Sequence, residues 1–158
     1  MRSCFASKSA AIVVTMCALG VASLAVAGAG ATDKIVGDWA GHVDCTDTTS
    51  ANGHPVGSEQ QSQPVACAFL ANGSMELNTY AGTWSKKNHR YRANVSESTT
   101  LAARGLYHDP KAKCVVKLKK MVIAGTELSG DYRQKIAYHD GGTKWRTDVR
   151  GVLVADAQ

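Results

Sequence analysis

Apolar and polar residues alternate with a period of two along most of the chain from residue 35 onward. Ile35, Trp39, Val43 and Cys45 face away from Asp38, His42 and Asp44. Val65, Cys67 and Phe69 form a second such run, and Asn72-Gly73 turns it into Met75 and Leu77. After a strand over 80–85 and a turn at 86–88, Tyr91, Ala93 and Val95 alternate with Arg90, Arg92 and Asn94. Cys114, Val116 and Leu118 then alternate with Lys113, Lys117 and Lys119. Leu128, Tyr132 and Ile136 face away from charged neighbours, and beyond the turn at 140–142 Trp145, Val149, Gly151 and Leu153 repeat the pattern. This periodicity predicts half-buried strands, and Asn-Gly between two alternating runs predicts a hairpin. The stretch 45–64 is polar and carries Asn52-Gly53, Pro55 and Gly57, so it is read as a loop. Residues 96–107 fit either a strand or a short helix, and His108-Asp109-Pro110 ends them. No segment shows sustained helical periodicity. The prediction is an all-β domain, a single antiparallel up-and-down β-barrel of about eight strands, with a two-sheet sandwich as the alternative.

The first residues do not fit this pattern. Arg2 and Lys8 precede an Ala/Val/Leu-rich run over 10–27, followed by Ala25-Val26-Ala27 and Ala29-Gly30-Ala31. This layout predicts a secretory signal peptide over 1–31, cleaved after Ala27 or Ala31, and one domain over 32–158. The run is too alanine-rich for a membrane anchor, so no integral span is expected after leader removal. Losing Arg2 and Lys8 lowers the formal charge from +5 to +3. The expected address is the periplasm or the extracellular medium, and the alanine-rich leader leans bacterial.

Export places Cys45, Cys67 and Cys114 where disulfides persist. Three thiols allow one bridge, and Cys45–Cys67 is the expected pair because it would staple the long polar loop. Cys114 would be left free or intermolecular, and its pairing with either of the others is the competing arrangement.

Gly37-Asp38-Trp39, Gly82-Thr83-Trp84 and Gly130-Asp131-Tyr132 repeat a Gly-x-aromatic tripeptide. An opening Gly-x-Trp strand after a signal peptide, followed by up-and-down strands, resembles the calycin group of lipocalin- and avidin-like barrels. Small secreted inhibitor barrels offer a comparable likeness. A barrel of this size is either filled by side chains or holds one small ligand. Trp39, Trp84, Tyr91, Tyr132 and Trp145 all fall on inward faces, so they are the candidate ligand-binding residues, with plain core as the competing role.

Catalytic chemistry has no foothold in the sequence. There is no nucleophile elbow, zinc-protease helix, P-loop or dinucleotide fingerprint, and no cofactor is implied. His42 with Asp44, His108-Asp109 and His139-Asp140 could supply metal ligands, but three or four must converge. Arg90/Arg92, Lys117/Lys119, Arg133/Lys135 and Lys144/Arg146/Arg150 point outward among interspersed acids. The low net charge and lack of an outer stacking platform argue against nucleic acid; an anionic envelope surface or an acidic protein remains open. The Asn72 and Asn94 sequons matter only in a eukaryotic host. The expected function is an exported non-catalytic binding protein holding a small apolar or amphipathic ligand. The alternatives are an inhibitor-type barrel acting on a protein partner through 46–66, and a metal-binding periplasmic protein.

Overall fold

The computed structural model describes residues 33–78, 80–97, 109 and 112–158, all within the unit Ala31–Gln158. The alternating runs become eight strands: β1 (Gly37–Ala51), β2 (His54–Phe69), β3 (Ser74–Leu77), β4 (Tyr80–Lys87), β5 (Arg90–Glu97), β6 (Lys113–Ala124), β7 (Glu127–Asp140) and β8 (Thr143–Ala157). Each pairs antiparallel with the next, and β8 returns to β1, closing an up-and-down barrel. Of the ambiguous stretch 96–107, Ser96 and Glu97 finish β5 and the remainder lies outside the described residues.

The strands are unequal, and this shapes the barrel. β3 and β4 are short, whereas β1, β2, β7 and β8 have 14 to 16 residues each. At one end all eight contribute to the wall, and its interior is apolar. Phe69, Met75, Leu118, Met121, Leu128 and Leu153 there are almost inaccessible to water. Ile35, fully buried, plugs the opening. The Trp39 indole N–H donates to the Ile35 carbonyl at 2.9 Å. Asp33 Oδ1 accepts from Lys86 Nζ at 2.6 Å and from the Tyr91 hydroxyl at 2.9 Å. That half is a filled core, sealed by the segment preceding β1.

Glycine lets the wall bend sharply enough to close. A Cβ at Gly151 would fall on the Asp44 carbonyl and the Cys45 side chain, and one at Gly41 would fall on the Val154 carbonyl. Both are inward positions at the β1–β8 seam, where only a hydrogen allows the neighbouring backbone so close.

Two expectations are corrected. The polar stretch 45–64 is not a loop: β1 runs to Ala51 and β2 starts at His54. Asn52 and Gly53 have φ of 50° and 87°, the pair of positive values that a two-residue type I′ hairpin needs. Nor does the Cys45–Cys67 disulfide form. Cys45 lies opposite Gln61 and Cys67 opposite Trp39, an offset of six residues, or about 20 Å along the strands. A disulfide needs Cα atoms within about 7 Å. Cys45 and Cys67 are free thiols, and Cys114 is buried as they are.

Candidate functional site

Beyond the filled core, β2, β1, β8 and β7 continue as a curved four-stranded extension made of two long hairpins. Its register places Gln61 beside Cys45, Glu59 beside Asp47 and Thr49 beside Thr147. Gln134 pairs with Val149 and Tyr138 with Trp145. These residues share the parity of the core positions, so they face the barrel axis, yet most are polar and only half-buried. The inner surface is therefore a polar cup standing on an apolar floor that includes Cys45, Tyr132, Cys114 and Val149. The Asn52 N–H donates to the Lys144 carbonyl at 2.8 Å, and Asn52 Oδ1 accepts from the Lys144 N–H at 2.9 Å, locking the two hairpins at the rim. Behind them the Arg133 guanidinium forks onto Asp148, Nε at 3.3 Å and Nη2 at 3.0 Å. Burial raises the Asp148 carboxyl, but the Arg133 and Arg150 hydrogen bonds outweigh it and leave the pKa below its usual value.

Within the cup, two short networks fix the polar groups. The Cys45 thiol donates to Asp47 Oδ1 at 3.9 Å, and Gln61 Nε2 donates to Asp47 Oδ2. The Tyr132 hydroxyl donates to Gln134 Oε1 at 3.1 Å, while Gln134 Nε2 donates to Cys114 Sγ at 3.2 Å. The hydroxyls of Thr49 and Thr147 meet at 3.3 Å, and Tyr138 and Trp145 stack with ring centroids 6.3 Å apart. Burial raises the Asp47 pKa above 3.8, with Glu59 adding to it and the Cys45 and Gln61 hydrogen bonds pulling the other way. Burial also lifts the Cys45 thiol to about 11, with Asp47 adding to it, and the Cys67 thiol to about 12. The Tyr132 hydroxyl is pushed up as well, chiefly by burial. The cup thus offers the carboxyls of Asp47 and, more exposed, Glu59, with amide and hydroxyl groups and a stacked aromatic pair. This suits an amphipathic molecule with hydrogen-bond donors, especially a cationic one that Asp47 would neutralise.

The five aromatic candidates do not form one site. Trp39, Trp84 and Tyr91 belong to the plugged end, where Trp84 contacts Phe69 and Tyr91 edge-on at centroid distances of 6.3 and 6.0 Å. The Trp84 indole N–H donates to the Leu70 carbonyl at 2.8 Å. Tyr132 forms part of the cup floor, and Trp145 stands at its rim. Asp47, Gln61, Gln134 and Tyr138 were not singled out by the sequence. Their signal was the period-two placement of Asp47, Thr49, Glu59 and Gln61 on either side of Asn52-Gly53.

The described histidines do not converge. His42 Nε2 meets Asp44 Oδ2 at 3.4 Å on the outer wall. His139 Nδ1 lies 3.1 Å from Asp109 Oδ2, which also accepts the His139 backbone N–H at 2.7 Å. His108 lies outside the described residues, and among the described residues no three His, Cys, Asp or Glu side chains gather as a metal site. No described helix is long and apolar enough to cross a membrane. Comparison with protein families, curated proteins and solved structures produced no match.

Proposed function

We propose that this is an exported, non-catalytic binding protein of the calycin-like kind, and that the polar cup holds a small amphipathic ligand. One observation carries the reading: polar side chains line the half-exposed inner face of the extension, while the rest of the interior is packed with apolar groups. A sheet that only needed solubility would put polar residues outside and fill the inside. Asp47, Gln61 and Gln134 would fix the orientation of the ligand, and Tyr132, Tyr138 and Trp145 would cover its apolar part. This moves the expected site from the centre of the barrel to one end of it. The charged, apolar and small-residue layout over 1–31 supports export. Native mass spectrometry of protein purified from its own host tests the reading. A small co-purifying mass is expected, retained by Trp84→Phe and lost in Asp47→Ala/Gln134→Ala. A bare protein mass, or a bound mass indifferent to the double substitution, rejects it.

A second reading has its own support. Asn78 bridges to both backbone groups of Ala66, and above that point no described strand pairs with the outer edge of β2. An extended segment of a protein partner could add to this edge. The inhibitor-type function expected for 46–66 would then act through a strand edge instead of a loop. Pro55 and Pro64, however, interrupt the edge in the manner that blocks strand addition, which leaves the cup as the favoured site. Capture of a partner that depends on 54–64, by a protein with an empty cup, would reverse that order.

A further inference from the structure

The wall of the barrel is electrically two-sided. No lysine or arginine occurs between Lys34 and Lys86, so β1 to β3 present Asp38, Asp44 and Glu76 outward without a cation of their own. Across β4 to β6, the outward positions include Lys87, Arg90, Arg92, Lys113 and Lys117, all exposed, and no acid among the described side chains. The register turns these into a two-dimensional array: Lys87 lies beside Arg90, Asn94 beside Lys117, and Lys117 beside Arg133. A bulge in β6 enlarges it. The register of β6 shifts between Lys119 and Val122, and Lys120 takes φ of 52°, a strained value for a side chain of this size. The result is that consecutive Lys119 and Lys120 are both exposed on the same wall. Such bulges re-aim side chains and persist where the strain is useful. Lys120 is held by Asp131 at 2.9 Å, which also lies opposite Lys119 in the register, whereas no described acid lies opposite Arg92 or Lys117 in the register. Arg92 is shared by two shallow clefts, of about 250 Å³ with Thr83, Ser85, Asn94 and Lys117, and of about 420 Å³ with Lys87, Arg90 and Lys120.

We infer that the outer wall of β4 to β6 docks the barrel side-on against an anionic membrane surface, each cleft receiving a lipid phosphate. The array spreads in two directions, as a layer of headgroups does, and not along one line like a nucleic-acid backbone. No described outward residue of these strands is aromatic, so the wall lacks both the stacking platform of a single-strand binder and the large anchors of a protein interface. Long basic side chains on a rigid sheet give a diffuse attraction to anionic lipid that adds residue by residue and is screened by salt. Docked this way, the acidic wall faces outward and the cup opens sideways, clear of the membrane. The inference is independent of what the cup holds.

Co-sedimentation with vesicles of phosphatidylcholine alone, or mixed with phosphatidylglycerol, tests it. The purified protein is expected to bind only the mixed vesicles and to be released by salt. Arg92→Glu/Lys117→Glu/Lys119→Glu should weaken that binding on the order of a hundredfold or more, while Lys144→Glu/Arg146→Glu on β8 should change it far less. If the reversed-charge triple variant loses its β-type circular dichroism, Arg92→Gln/Lys117→Gln/Lys119→Gln replaces it with the same direction expected. Equal binding to neutral vesicles, undiminished binding by the folded triple variant, or complete release by millimolar-range inorganic phosphate at constant ionic strength would overturn the inference.

Discussion

Cys45 shows how much a single residue's surroundings decide. Its thiol is inward, buried and hydrogen-bonded to Asp47, and burial raises its pKa to about 11. Cys67, deeper in the core, is raised to about 12. Thiolate is the reactive form, so both stay protonated at neutral pH and are shielded as well. Alkylation followed by peptide mapping should therefore leave Cys45 and Cys67 unlabelled in the native protein and label both in the unfolded protein without a reducing step. Recovery of a Cys45–Cys67 or Cys45–Cys114 peptide from a non-reducing digest would contradict this. Asp47 gives a second consequence. Its folded pKa lies above the ordinary 3.8, so its favourable contribution is complete below that value and is lost as pH rises through the folded pKa. Asp47→Asn should then unfold at a higher denaturant concentration than the wild type at pH 7. The gain should be no more than about 1 kcal/mol because solvent screens a group this exposed, and it should fade toward pH 4.

At the scale of the elements, sequence legibility followed the chemistry of the inward face. Where that face is apolar, as in Val65–Cys67–Phe69 or Cys114–Val116–Leu118, alternation is plain, and the sequence yields both the strand and the buried residue. Where β1 and β2 line the cup, the inward residues are Asp47, Thr49, Glu59 and Gln61, and both faces become polar. Alternation in hydrophobicity then disappears although the strands continue. The same polarity hid half of the hairpin and the candidate site. The Asn52-Gly53 turn was visible, but without alternating flanks it read as part of a loop, and the disulfide expectation depended on that loop. The bulge in β6 shows in the sequence only as consecutive Lys119 and Lys120, which interrupt the alternation before Met121. Closure of the strands depends on Gly151, whose missing side chain admits Asp44 and Cys45. Gly151→Ala should destabilise the barrel by on the order of 3 kcal/mol, measured by urea unfolding. Gly57→Ala, where a Cβ meets nothing within 4 Å, is the matched control and should lie within about 0.5 kcal/mol of the wild type.

For the whole molecule, unequal strand lengths divide one barrel into two halves of different inner chemistry. The plugged half, with Ile35, Phe69, Met121 and Leu128, supplies stability through apolar burial. The two long hairpins project a polar inner surface that apolar packing does not occupy. The aromatic positions could be assigned inward from sequence, but not to one half or the other, because that assignment depends on register between strands distant in the chain. The proposed division is tested most directly by hydrogen–deuterium exchange on protein purified with its host-derived ligand, compared with the same protein unfolded, stripped and refolded. Stripping should speed exchange in 45–51, 58–63, 132–138 and 145–149, and leave Trp39, Trp84 and Tyr91 and their neighbours as protected as before. An exchange difference confined to the plugged half, or none at all between the two preparations, would contradict a ligand-binding cup.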